Sequence, residues 1–398
     1  MTIKDRIVQS TGEHFESLRA IRRHLHAHPE LSFQEKETAA FVAKTLREHG
    51  IECTEGIGGY GITALIGDPK KGKTVALRGD MDALPIFEEN QTEYTSRNEG
   101  VMHACGHDVH TTCLLGAALA LKAVEPELLG AVKLIFQPAE ERIPGGASIM
   151  IADGVLKAPD VELIFGQHVY PDMEVGHVGM RGGMYMASAD ELYITVHGKG
   201  GHAALPHKNI DPVVIAAHLI TALQQVVSRR ALPTVPAVLS IGKVTAAGAT
   251  NIIPDKVVME GTMRAMDETV RAEMHEAITE LVHDLTKSMG GSADLEIRKG
   301  YPCLVNDESL TVMCKEAAIE LLGEEMVHDL DMRMTAEDFA YFAQAVPACF
   351  YRLGTSNTEK KIGAPLHTSR FDVDENSLKT GASMMAWLAA KAVNEYEV

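Results

Sequence analysis

The sequence predicts an α/β protein: a larger domain on a mostly parallel sheet, interrupted by a smaller inserted domain of ferredoxin-like βαββαβ order. Three observations carry this reading. At 398 residues the chain is long for one compact domain, so two are expected. Its first 180 residues alternate short apolar runs with amphipathic stretches of helical period, the rhythm of a parallel sheet covered by helices. Around Gly182–Gly183 that rhythm gives way to longer alternating strands. The expected division is 1–184 with 298–398 for the larger domain and 185–297 for the insert.

Residues 15–28 read as a helix, with Leu18, Ile21, Arg22 and Leu25 at helical spacing and Pro29 just beyond. A second helix covers 34–49 and stops at Gly50. Apolar runs at 62–66, 74–77, 132–136 and 161–165 have the length of buried strands, with a helix at 111–124 among them. In the insert, strands are predicted at 192–196, 238–243, 257–263 and 295–299, with helices at 212–227 and 268–287, which gives the order βαββαβ. The α/β pattern resumes with a helix at 310–322, a strand at 349–353 and a helix at 376–393.

Charge narrows the function. With 37 basic against 55 acidic residues the net charge is −18, and no Lys/Arg-rich block offsets it, which argues against nucleic acid and anionic membranes as partners. The six cysteines are dispersed without a CxxC pair, as suits a reducing compartment, and no run approaches a membrane span of about 18 apolar residues. A cytoplasmic location is expected.

The densest chemistry lies in Met102-His-Ala-Cys105-Gly-His107-Asp-Val-His110. Thiolate, imidazole and carboxylate together are the donors of a borderline divalent metal, and Gly106 lets the side chains on either side turn toward one point. Three more polar clusters follow predicted strands: Arg78-Gly-Asp80-Met-Asp82, Gln137-Pro-Ala-Glu140-Glu141 and Gly166-Gln-His168. Ligands of open α/β sheets bind beyond the carboxyl ends of the strands, so clusters that share this edge are more telling than any one alone. Adjacent glutamates also occur on solvated helix faces. Here the pair follows a buried-type strand and a proline, so one carboxylate can bind metal while the other serves as a base. His168 is compatible with a core histidine or a ligand, and His367 is equally open from pattern.

The insert offers Gly198-Lys-Gly-Gly-His202, a turn presenting an imidazole or simply a mobile loop. Asn251 and Arg264 supply an amide and a guanidinium. Arg264 suits a substrate carboxylate through paired hydrogen bonds, with a surface ion pair as the competing explanation.

Met102-His-Ala-Cys-Gly-His-Asp108, Pro138-Ala-Glu-Glu141, Gln167-His168, Gly200-Gly-His-Ala203, Asn251-Ile-Ile-Pro-Asp255 and Pro365-Leu-His367 together resemble the M20 metallopeptidase family. The resemblance is greatest to its amidohydrolase subfamily of hippurate hydrolases, aminoacylases, auxin-conjugate hydrolases and N-acetyldiaminopimelate deacetylases. It spans nearly the whole chain, with the motifs in the family's order. It implies two divalent metal ions (Zn2+ or Mn2+, with Co2+ or Ni2+ as alternatives) on Cys105, His107, Glu141, His168 and His367, with Cys105 as the bridge. Glu140 would be the general base and Asp80 would support the site. His202 would stabilise the oxyanion, from the partner subunit in one version, while Asn251 and Arg264 would hold the carboxylate of a small N-acyl amino acid. The insert would be a lid and homodimerisation domain. His103 and His110 are left as supporting or structural residues. A dipeptidase of the same family is the alternative activity, and a non-catalytic metal-stabilised binding protein the alternative class.

The sequence departs from the family pattern in places. Peptidase relatives carry His-x-Asp where Arg78-Gly-Asp80 is read here, and Cys105 makes up the ligand count. Val109, Arg142-Ile-Pro144 and Thr335-Ala-Glu-Asp-Phe339 also differ, which bears on substrate identity more than on chemistry.

Overall fold

The computed structural model describes residues 1–396. Two compact units emerge. Met1–Gly183, Val305–Asp331 and the chain from Asp338 onward form the first, and Met184–Leu304 with Met332–Glu337 form the second.

Among the described residues, the first unit carries an eight-stranded sheet. From edge to edge its strands are Cys53–Ile57, Gly61–Gly67, Ala131–Gln137, Thr74–Asp80, Leu163–Glu174, Ala348–Ser356, Val178–Met180 and Val327–Asp329. The four strands from Ala131–Gln137 to Ala348–Ser356 run parallel, with antiparallel pairings flanking them. Thr74–Asp80 and Ala131–Gln137 are buried at every position, as strands covered on both faces must be. The helix His107–Val124 packs against Ser377–Glu395 and is apolar on nearly all sides, which explains its weak amphipathic signal.

Several boundaries move from the sequence expectation for local reasons. The strand expected at 161–165 extends over Leu163–Glu174, sustained by pairing with Ala348–Ser356, so His168 lies within a strand and not after it. The strand expected at 74–77 continues to Asp80 beside Ala131–Gln137. The helix expected at 111–124 begins at His107, because Gly106 turns the chain at φ +81°. A helix at Ile3–Glu13 went unread, although Thr2 and Asp5 form a reciprocal capping box at its start.

The second unit is a four-stranded antiparallel sheet in the order Ala237–Ala246, Lys256–Ala265, Asp190–His197, Ser292–Lys299. In sequence terms this is second, third, first, fourth, the ferredoxin-like arrangement of a βαββαβ chain. Leu192, Ile194 and Val196 point to one face and pack with Leu219 and Leu223 of helix Pro212–Gln225 and with Ile278 and Val282 of helix Glu268–Ser288. Asp211 and Asp267 cap these two helices. Gly300 and Tyr301 stay with this unit through Asp190 and Ala189, and segment 332–337 returns to it where the Ala187 amide meets the Arg333 and Thr335 carbonyls. No helix among the described residues is long and apolar enough to cross a membrane.

Candidate metal centre

The first unit gathers its candidate metal-binding side chains where the central strands end. Asp80 closes the strand Thr74–Asp80, and Asp82 lies two residues on. Glu140 and Glu141 follow the turn after Ala131–Gln137. His168 sits on Leu163–Glu174 beyond Gly166, the last residue paired with Thr74–Asp80, and pairs with Arg352 of Ala348–Ser356. Cys105 and His107 flank Gly106 at the start of helix His107–Val124. A Cβ on Gly106 would lie 2.5 Å from Val169 Cγ2, so both space and φ require glycine. His367 has φ +60°, a left-handed conformation that costs a β-carbon residue about 1 kcal/mol or more, and its amide is tied to the Ala104 carbonyl.

Cys105 Sγ is the hub of this cluster. It lies 3.4 Å from His168 Nε2 and 3.3 Å from His367 Nε2. Glu141 Oε1 is 3.2 Å from His367 Nε2 and 4.0 Å from His107 Nε2, and Glu140 Oε2 is also 4.0 Å from His107 Nε2. Cys105 with His107 and His168, Cys105 with Glu141 and His367, and His107 with Glu140 and Glu141 each place their donor atoms within 4.8 Å of one another.

These residues fit metal ions. His107 Nε2 and Glu141 Oε1 are buried and have no hydrogen-bond partner, although they face each other. Buried polar atoms are rarely left so, because each unmet group costs about 1–3 kcal/mol. A cation between them satisfies both. Burial, then the Glu141 and Glu140 carboxylates, push the Cys105 thiol well above its ordinary pKa, so a thiolate here calls for a positive charge beside it. Burial and then Arg352 hold His168 well below its ordinary value, which keeps it neutral as a ligand must be. Its Nδ1 donates to the Val169 carbonyl at 2.8 Å, directing the Nε2 lone pair at Cys105.

The residue that aligns His107 is Asp82, which sequence reasoning did not single out. Its Oδ1 is 3.1 Å from His107 Nδ1 and accepts from the Glu140 amide, while Oδ2 accepts from the Glu141 amide and Ser32 Oγ. Asp80 instead pairs with Arg78 and takes His110 Nδ1 at 2.5 Å. Burial opposes ionisation of Asp80, but Arg78 and His107 hold it well below the usual carboxylate range. His110 Nε2 accepts from the Val169 amide, so both of its ring nitrogens are engaged by protein. His103 is buried with neither nitrogen hydrogen-bonded. Arg78 in turn meets Asp338, which also accepts from Gln137 and the Ala147 amide. The available signal was the second aspartate of Arg78-Gly-Asp80-Met-Asp82.

In the second unit His202 is exposed in the pairing of Gly201–His202 with Ile252–Ile253, and the Ala203 amide donates to the Asn251 carbonyl. The Ala204 amide donates to His202 Nδ1, which leaves the proton on Nε2. Arg264 lies near the far end of strand Lys256–Ala265, half-buried, its guanidinium on Thr262 Oγ1 and the Met263 carbonyl. No ion pair to Arg264 occurs among the described residues.

Residues 76–391 match the model of peptidase family M20/M25/M40, well over half the chain. The chain belongs to that family. It is 40% identical over 358 residues to an N-acetyl-L-cysteine deacetylase of Bacillus subtilis, covering 90% of this chain and 84% of the relative. It is also 40% identical over 379 residues to thermostable carboxypeptidase 2 of Saccharolobus solfataricus, covering 94% and 95%. Among solved structures, a Bacillus subtilis protein described as a dinuclear metal binding peptidase from the M20 family superposes with a TM-score of 0.83 at 34% identity, over 97% of this chain and 100% of that one. As a member of this family the chain is a hydrolase.

Proposed function

We propose that the protein is a metal-dependent amidohydrolase that cleaves N-acyl amino acids to a carboxylic acid and a free amino acid. The observation that carries this is Glu140. Its Oε2 lies 4.0 Å from His107 Nε2, and it adjoins Glu141 in a chain that offers five other donors, Cys105, His107, Glu141, His168 and His367, for the metal. Holding a metal alone requires no such second carboxylate.

Cys105, His107, Glu141, His168 and His367 would hold two divalent ions, which would supply Lewis acidity toward the amide carbonyl and the attacking water. Cysteine and histidine donors suit zinc. Manganese, cobalt or nickel are alternatives set by availability. Glu140 takes the proton of the attacking water and returns it to the leaving nitrogen as the C–N bond breaks. His202 donates Nε2–H to the carbonyl oxygen as it gains charge. Asn251 and Arg264 bind the substrate carboxylate. Asp80 keeps His110 and Arg78 in place behind the cluster.

Two features of the second unit support a homodimer in which it serves as lid and dimerisation domain. Strand Ala237–Ala246 is a ten-residue sheet edge with exposed Val238 and Val244, the kind of edge that proteins cover. Lys256, three residues after the strand Ile252–Ile253 that pairs with Gly201–His202, and Arg264 are eight residues apart on one strand, about 26 Å at 3.3 Å per residue. One small substrate does not span that separation, so His202 and Asn251 of one subunit and Arg264 of the other would serve one site. All six cysteines are free, which suits a cytoplasmic location.

Dipeptidase activity is the second reading, favoured by the likeness to a carboxypeptidase. Metal-reconstituted protein is expected to hydrolyse N-acetyl amino acids faster than the matching dipeptides, and the reverse preference would overturn the first reading. Glu140→Gln is expected to abolish turnover with metal content intact. An active variant would remove Glu140 from its role, and wild-type protein inert across the panel would point to a binding protein.

A further inference from the structure

The turn that presents Glu140 and Glu141 is held by its own backbone amides, and one anchor comes from a distant loop. The amides of Glu140 and Glu141 donate to Asp82, each at 3.0 Å. The amide before them, of Ala139, donates to Glu35 Oε1 at 2.7 Å. Glu35 lies 104 residues earlier, in the segment leading to helix Lys36–Glu48, and is fully buried. Three consecutive amides therefore close on two carboxyl groups.

Ala139 has φ +53°, the left-handed region that an alanine occupies only at a cost and only when its surroundings impose it. Two bonds impose it here: the Ala139 amide on Glu35 and the Ala139 carbonyl accepting from the Gly146 amide at 2.9 Å. Rotation at Ala139 swings the Cα–Cβ bond of the next residue, so the conformation at 139 sets where the Glu140 carboxylate points. The Glu35 carboxyl also draws on its own amide and that of Phe33, so it ties its loop to the turn, while its Oε2 is buried without a hydrogen-bond partner. Burial, then the Asp82 carboxylate, raise its pKa to about 7, so the neutral carboxyl is accessible to the folded protein.

We infer that Glu35 is a positioning residue for the general base: by gripping the Ala139 amide it fixes the left-handed turn that aims Glu140. This rests on the reading of Glu140 given above. The same segment supplies Ser32 to Asp82 at 2.6 Å, so it supports the turn from both anchors.

The test compares Glu35→Ala, Glu35→Asp and Glu35→Gln with wild type in metal-reconstituted full-length protein. Rates are normalised to folded protein and metal content. Glu35→Ala is expected to lower kcat about 10–100-fold with KM and metal stoichiometry within about 2-fold, the range typical of residues that orient a site from behind. Glu35→Gln keeps the acceptor for the Ala139 amide and is expected to restore kcat to within about 3-fold of wild type. Glu35→Asp withdraws the acceptor by one methylene and is expected to fall between; it serves as the deciding variant if Glu35→Ala does not fold. A merely structural role would lower the melting temperature in all three without splitting kcat from KM. Wild-type kcat in Glu35→Ala or Glu35→Asp, or a loss in Glu35→Gln equal to that in Glu35→Ala, overturns the inference. Glu140→Gln run in parallel separates the two readings. If it is inactive while Glu35→Ala is unimpaired, only the inference about Glu35 fails. If it is active, the reading of Glu140 itself fails.

Discussion

Each unit buries a cluster of carboxylate, histidine and, nearby, arginine, and the two clusters differ in how fully they are hydrogen-bonded. In the second unit Asp190 Oδ1 accepts from Arg271 Nη2 and the Gly300 amide, and Oδ2 accepts from Arg271 Nε and His275 Nε2. Arg271 also meets Glu268 and the Gly300 carbonyl. Each oxygen of Asp190 thus takes two donors. In the first unit His107 Nε2 and Glu141 Oε1 are buried 4.0 Å apart, and neither has a hydrogen-bond partner. Residue types alone would mark both clusters as candidate sites. What separates a clasp from a binding site is whether the buried polar atoms already satisfy one another.

The sharpest way to break this contrast is to remove the hub of the open cluster. Cys105→Ala is expected to reduce bound metal and lower turnover by more than about 100-fold, beyond what losing a residue behind the ligands costs. Unfolding of the metal-free protein should shift by no more than about 1 kcal/mol. Metal analysis and steady-state rates on the same preparation check it. Full metal content with full activity would mean that the cluster is not the site.

The closed cluster should respond in the opposite way. Asp190→Asn removes the buried counter-charge of the Arg271 guanidinium and leaves it only the more exposed Glu268, and breaking a buried pair typically costs about 3–5 kcal/mol. Denaturant unfolding of the second unit should register that loss, while kcat per folded molecule stays within about 3-fold of wild type. A variant that keeps its stability but loses kcat would place Asp190 in the chemistry and erase the distinction.

The same contrast explains what the sequence made legible. Cys105 and His107 stand out as candidates because they share a compact motif that opens a helix, and Glu140, Glu141 and His168 because they follow apolar runs, while the ferredoxin-like order could be read because its strands alternate cleanly. Asp338 and Glu35 could not, because their meaning lies in partners 260 and 104 residues away, Arg78 and the Ala139 amide. Asp82 stands in the same motif as Asp80, and the sequence alone assigns it no role. Only the structure shows that its two oxygens take His107 and the two glutamate amides, while Asp80 is spent on Arg78 and His110. The strand Leu163–Glu174 was foreshortened because Gln167, His168 and Asp172 interrupt its apolar run, and pairing across the sheet carries it past them.

Acid titration gives the smallest effect. Burial alone would raise the Asp190 carboxyl, but its bonds to Arg271 and His275 lower it from an ordinary 3.8 to about 2. A carboxylate depressed on folding stabilises the native state above its unfolded pKa and ceases to do so as pH falls through its folded one. At about 1.4 kcal/mol per pH unit, the difference is worth about 2 kcal/mol, nearly all present at pH 4, with about 1 kcal/mol lost between pH 4 and pH 3. Asp190→Asn has no such group to titrate. The stability gap between wild type and this variant, followed through the second unit's unfolding transition, should therefore be constant from pH 7 to 5 and narrow by about 1 kcal/mol between pH 4 and 3. A gap that holds constant to pH 3 would mean that the Asp190–Arg271–His275 clasp draws its strength from packing and not from charge. The difference between the two clusters would then lie in shape alone.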